Sequence, residues 1–340
     1  MSEHETVKGS EVWISGNAQR EPAKTALQCP LCEGNEISEF SSAPDRFHLR
    51  TQRYRLTRCN HCTCVWLVSP PLPGEMSHHY SEDYHNAIVK AGETSAAARW
   101  EQQRAMISRF KKGGNILDIG CSSGGFLSTL NAANWRLHGI EIAPETAEKA
   151  RLATGAEVFT GEATEAPFLP DSFDVITCFD VLEHVYDPRQ FLSKVQEWLR
   201  PGGIYYVMLP NIDSWESHMF GSYWYGLELP RHLFHFSPKS LGYVMNSLGF
   251  CELSLLTPRT CYVERSVNYL GAGIASKFGF EPTSQAQAKE RSIAWRAIRK
   301  VVRLSFIFPF SQVASWAGAG GSMEAVFAKS TETRSVGGAV

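Results

Sequence analysis

The sequence has no uninterrupted apolar stretch of about 18 residues, the length a membrane-crossing helix needs, and its polar start has no signal-peptide core. Both absences predict a cytoplasmic protein. Charge of one sign is missing too: 33 Lys and Arg stand against 35 Asp and Glu, a formal net charge of −2. Nucleic-acid binding that ignores sequence needs a positive excess, so no nucleic-acid partner is expected. Nine cysteines are too few and too unevenly placed to staple 340 residues with disulfides. Reduced thiols or a metal site fit that number better. The glycines nowhere form Gly-x-Gly-x-x-Gly, so the dinucleotide fingerprint is absent. What remains is 43% apolar and 20% charged, a composition that predicts a sizeable core, and a length that allows two units.

The chain is organised around Asn115-Ile116-Leu117-Asp118-Ile119-Gly120-Cys121-Ser122-Ser123-Gly124-Gly125, which reads as strand, tight turn and then helix. Gly120, Gly124 and Gly125 let a ligand lie against the main chain, and Asp118 points a negative charge into the opening. A diphosphate would be repelled there, whereas an ammonium or sulfonium would be attracted. Leu137–Glu141 reads as the next strand, placing Glu141 where an acid meets ribose hydroxyls in a βαβ unit. Gly161-Glu162-Ala163 follows a third apolar stretch, and Asp174–Phe179 is a fourth. Two Cys-x-x-Cys knuckles, Cys29/Cys32 and Cys59/Cys62, flank an alternating strand, Tyr54–Arg58. Four thiolates suit structural tetrahedral Zn²⁺; unliganded thiols are the alternative reading, and Cys64 is an alternative fourth ligand.

The motifs Asp118–Gly124, Glu141, Gly161-Glu162-Ala163 and Phe179-Asp180-Val181-Leu182-Glu183-His184, in this order, resemble class I S-adenosylmethionine-dependent methyltransferases. The loop Arg200-Pro201-Gly202-Gly203 is a further hallmark. The resemblance implies an α/β, Rossmann-like fold with a seven-stranded sheet and S-adenosylmethionine as methyl donor. It also implies roles for single residues. Gly120, Cys121, Ser122 and Gly124 line the methionine portion, with Asp118 ordering their turn. Glu141 accepts from both ribose hydroxyls, Ile142 packs on the adenine, Glu162 and the Ala163 amide meet its edge, and Phe179 bounds the cleft. The implied layout is a leader 1–26, a zinc-ribbon-like module 27–75, a helical cap 76–112 and a core 113–262. A helical insertion 263–321, a last core strand 322–330 and a tail 331–340 follow. From the cap, Tyr80, Tyr84, Arg99 and Arg104 are candidates to meet the donor's carboxylate or the acceptor.

Candidate bases are histidines beyond strand ends, since a near-neutral pKa suits proton removal. His232 leads, with His184 and His235 behind it, and Tyr223, Trp224, Tyr225 and Phe236 are a candidate substrate wall. The ribbon and His232–Ser237 are similar to deoxysugar C-methyltransferases that carry an amino-terminal zinc module. Leu229 and Arg231 replace the Tyr and Glu of that family, which argues against carbanion formation at a sugar carbon. Asp180, Glu183 and His184, read as one helical face, match a divalent-metal set of ubiquinone-pathway O-methyltransferases. In the insertion, Trp295, Ile298, Val301, Val302 and Leu304 alternate with Arg291, Arg296, Arg299, Lys300 and Arg303 as a basic amphipathic helix, so peripheral membrane contact is one reading and a lid another. The leading expectation is methyl transfer to a hydroxyl oxygen of a sugar or secondary metabolite, free or carrier-linked. C- or N-methylation, RNA methylation and a non-catalytic scaffold are the alternatives.

Overall fold

The computed structural model describes residues 28–80, 96–278 and 300–331. Tyr84, Arg291, Trp295, Arg296, Ile298, Arg299, the leader and most of the tail lie outside these residues. Seven strands form one sheet: β4 (Gly114–Ile119), β5 (Trp135–Glu141), β6 (Glu157–Thr160), β7 (Phe173–Phe179), β8 (Leu199–Pro210), β10 (Phe250–Leu256) and β11 (Ser322–Lys329). Their order is β10-β11-β8-β7-β4-β5-β6. The run from β8 to β6 is parallel, and β11 inserts antiparallel between β8 and β10. Central strands covered on both faces need apolar side chains on both, which is why Ile116, Leu117 and Ile119, or Val175, Ile176 and Cys178, follow one another almost without alternation.

Local chemistry sets the helix ends. Pro144–Thr154 opens on proline and stops at Gly155, whose φ of +68° suits glycine. Pro188–Trp198 is capped by Asp187, which accepts from the Gln190 amide at 2.9 Å, and it buries Phe191, Leu192, Val195 and Trp198 against the sheet. Two expectations need correction. After the glycine turn there is no α-helix, only a 3₁₀ turn, Leu127–Thr129: about ten residues separate Gly125 from β5, and Ser128 and Thr129 spend their hydroxyls on the Gly125 and Phe126 carbonyls. Arg200–Gly203 is not a separate loop but the irregular start of β8, where the register to β7 shifts.

The amino-terminal module is part of the same body. Its strands β1 (Ile37–Pro44), β2 (Arg53–Cys59) and β3 (Val65–Leu67) form an antiparallel sheet completed by β9 (Phe234–His235), which comes from the loop after β8. Arg189 donates to the Leu31 carbonyl at 2.7 Å, and one apolar cluster runs from Cys29, Leu56 and Trp66 to Leu117, Ile176 and Val207.

The four knuckle sulfurs converge. Cys29 and Cys62 Sγ lie 3.5 Å apart, as do Cys32 and Cys59, and all four lie within 4.8 Å of one another. Bonds of about 2.3 Å to a tetrahedral Zn²⁺ imply S···S edges of about 3.8 Å, so the donor set fits that ion. The Cys62 amide points at Cys59 Sγ, 3.5 Å away, as a hydrogen bond to a thiolate would require. Cys64 is buried outside the cluster and faces the Val65 carbonyl. The fit predicts one zinc per chain by elemental analysis, and Cys59→Ser should reduce it at least about tenfold with loss of the folded module. Metal-free protein with an unchanged melting curve would contradict this.

Candidate active site

Two groups of side chains meet at the carboxyl edge of the parallel strands. The first surrounds the glycine turn. Asp118 is 4% exposed, and its Oδ1 accepts from Thr177 Oγ1 at 2.6 Å, the residue opposite it in β7. Burial pushes its carboxyl up to about 7, against the pull of Thr177 and Arg99. Gly120 has φ +75°, and a Cβ there would meet Val181 Cγ2 at 2.4 Å, so only glycine lets the turn touch the segment after β7. Glu141 closes the opposite side. One carboxylate oxygen accepts from the Ser122 amide and the other from the Ala143 amide, each at 3.0 Å. Beyond it Ile142 is 53% exposed, and Glu162 and Ala163 stand at the rim where the turn Ala163–Glu165 begins.

A helix, Ala96–Ser108, crosses this opening. Arg99 Nη2 reaches Asp180 Oδ2 at 3.0 Å, and Trp100 Nε1 lies 3.0 Å from where a Gly125 Cβ would stand. Gln103 is buried with its amide toward Met208, 3.8 Å away. Arg104 points outward and pairs with Glu101. Phe179 sits edge-on between Phe126 and Tyr206, at 5.3 and 5.0 Å.

The second group is ionic. His232 Nδ1 donates to the Gly226 carbonyl at 2.9 Å, while Nε2 stands 3.2 Å from Glu228 Oε2. Both partners are acceptors, so both nitrogens carry protons and the ring is an imidazolium. The electrostatics agree. Burial works against the charge, and the Glu228 carboxylate overcomes it, raising His232 above its usual value. Burial would likewise raise Glu228, but His232 and Arg231 bring it down to about 2. Glu228 holds this position with left-handed backbone angles, φ +39° and ψ +44°, which are costly for a residue with a side chain. Arg231, 1% exposed, reaches Asp45 Oδ2 at 3.4 Å and the His79 carbonyl at 3.3 Å, tying the pair to the amino-terminal module.

His184 differs. Its Nδ1 donates to the Arg231 carbonyl at 3.0 Å, with the Tyr80 hydroxyl 3.1 Å from the same nitrogen, so Nε2 keeps its lone pair. Burial, then the charge of His232, depresses this imidazole to about 3. The His184 and His232 rings stand 4.7 Å apart, edge to face. Glu183 is buried beside them, and burial holds its carboxyl above the usual range. His235 belongs to β9, donates to the Leu227 carbonyl at 3.0 Å and is 2% exposed, the environment of a packing residue.

The expected helical face of Asp180, Glu183 and His184 does not form. Asp180 has φ +56° and pairs with Arg99, and only Leu182–His184 make a 3₁₀ turn. At this place Glu183 and His184 gather with His232 instead, their acid and imidazole atoms within 4.8 Å of one another. Trp224 and Phe236 are core side chains, 1% and 0% exposed, and form no substrate wall. Sequence reasoning missed Glu228, Asp45 and Gln103. Glu228 alone left a local trace, four residues ahead of His232.

Residues 94–254 match a family model described as a methyltransferase domain. A ubiquinone biosynthesis O-methyltransferase of Idiomarina loihiensis is 27% identical over 166 residues, covering 46% of this chain and 65% of the relative. The mitochondrial ubiquinone biosynthesis O-methyltransferase of Schizosaccharomyces pombe is 37% identical over 99 residues, covering 27% and 36%. The chain therefore spans between about a third and two thirds of these relatives' length. Among solved structures, an S-adenosylmethionine-dependent methyltransferase of Thermotoga maritima aligns with a TM-score of 0.48 at 17% identity, over 75% of this chain and 99% of that one.

Proposed function

We propose that the chain, whose residues 94–254 match the methyltransferase-domain model, transfers a methyl group from S-adenosylmethionine to a hydroxyl oxygen of a small or carrier-linked acceptor, a sugar or secondary metabolite. The observation that carries the reading is the convergence of Asp118, the Gly120 turn and Glu141 under Arg99, directly against the segment that bears His184. When bound, S-adenosylmethionine supplies an electrophilic methyl and a neutral thioether as leaving group. The chain's residues supply position and a proton acceptor. Asp118 favours positive charge at the turn, Glu141 addresses the ribose, Ile142, Glu162 and Ala163 the adenine, and Arg99 a carboxylate.

An acceptor hydroxyl that took this methyl would have its own proton left to lose. The hydroxyl proton then passes to His184 Nε2. A base held as low as His184 is adequate because the oxygen becomes strongly acidic as it is alkylated. The same fact favours oxygen over carbon. A carbon acceptor must lose its proton before the methyl arrives, and His232, already protonated, offers no base for that step. His232 with Glu228 acts instead as an ion pair that fixes the loop around His184.

The test is incubation of the full chain with methyl-labelled donor and an extract separated into metabolites, carrier-linked material and RNA. Label is expected in an ether of the metabolite or carrier fraction, and His184→Ala should slow its appearance about 10²–10⁴-fold with donor binding retained. Label found in RNA alone, or at carbon, would reject the proposal.

A further inference from the structure

A different part of the chain has no role in that chemistry. The helix Tyr262–Lys277 buries Val263, Ser266 and Tyr269 on the core. The stripe that begins at Val263 stays apolar along the rest of the helix but is not covered. Val267, Leu270 and Ile274, then Phe278, recur at spacings of three and four residues and are 46%, 37%, 50% and 77% exposed. The π-helical turn Arg303–Ile307 and the helix Phe308–Trp316 continue the pattern with Leu304, Phe306 and Trp316, at 57%, 70% and 78%. Half of the large apolar side chains exposed among the described residues come from this insertion. An apolar surface of this extent marks something that covers it.

Charge identifies the occupant. Residues 259–316 hold nine Lys and Arg but three acids, in a chain whose formal charge is −2. Arg259 sits 4.0 Å over the Phe308 ring, Arg303 stands 3.8 Å from Glu264, and Lys277 and Lys300 are exposed. Cations beside outward aliphatic and aromatic side chains match the interface of a bilayer, where apolar groups enter the acyl boundary and basic groups meet anionic headgroups. A second copy of this chain would bring the same positive excess against itself. Nucleic acid would use the cations but not an aliphatic stripe. No described helix is long and apolar enough to cross a membrane, so the contact is with its surface.

We propose that the exposed apolar stripe of Tyr262–Lys277, together with Arg303–Trp316, docks on the surface of an anionic phospholipid membrane. The proposal is independent of methyl transfer. It is tested by floating the zinc-loaded full chain with vesicles of phosphatidylcholine, alone or mixed with phosphatidylglycerol. Binding to mixed vesicles at low salt should exceed that to phosphatidylcholine at least about tenfold and fall as salt is raised. The double substitution Leu304→Ser/Phe306→Ser, at exposed positions, should reduce it at least about tenfold with the melting curve unchanged. No flotation at low salt overturns the proposal. So does flotation indifferent to that double variant. A dimer that the same substitutions dissociate, or retention on RNA without vesicle binding, would give the face to those partners instead.

Discussion

Replacing Glu141 with alanine is expected to weaken S-adenosylmethionine binding about a hundredfold or more, since two charge-assisted hydrogen bonds to vicinal hydroxyls contribute about 1.5–3 kcal/mol each. The position of the side chain supports so large an effect. Its two oxygens are already aligned by the Ser122 and Ala143 amides, so it orients at no further entropic cost and also shapes the glycine turn. The residue is only partly buried, which leaves the fold intact when it is shortened. Calorimetry of the variant beside its melting curve separates the two. Unchanged affinity in a folded variant would remove Glu141 from the site.

Glu228→Gln is expected to destabilise the protein by about 3–5 kcal/mol near neutral pH, because it removes the counter-charge that keeps the buried His232 protonated. The pH dependence identifies the cause. In the wild type the folded pKa of His232 lies above its unfolded value, so the stabilisation from its protonated form is complete below about 6.5 and is lost as pH rises through the folded value. In the variant, burial favours neutral His232, and protonation in the unfolded chain then competes against folding. The deficit relative to wild type should therefore be largest near pH 5.5 and shrink toward pH 8 as the unfolded histidine loses its proton. Urea unfolding of both proteins at these two values measures it. A deficit independent of pH would mean that a lost hydrogen bond, not a lost charge, is responsible.

The two predictions differ in how far the sequence alone leads to them. Asp118, Gly120 and Glu141 are legible because a strand, its turn and the next strand end are set by local pattern, and parallel pairing places Asp118 beside Gly139 and Thr177. The cysteine knuckles are legible for the same reason, as each is a turn of four residues. The pair of Glu228 and His232 is not. Its geometry depends on one left-handed residue before the cis Leu229–Pro230 bond, and on Arg231 reaching an aspartate 186 positions earlier in the chain. Helical spacing suggested a common face for Asp180 and His184, but positive φ at Asp180 turns the chain before a helix can start. His232 ranks first as a base on sequence because an isolated histidine is neutral near pH 7. A buried carboxylate 3.2 Å away reverses that order in favour of His184.

The account depends most on a donor pocket at the carboxyl edge of β4 and β5. Titrating S-adenosylmethionine, and separately its demethylated product, into the zinc-loaded full chain in a calorimeter tests this most directly. One site per chain that takes both nucleosides, and loses both in Glu141→Ala, is the predicted result. Absence of binding heat for either nucleoside at several temperatures, in protein with its full melting transition, would contradict it.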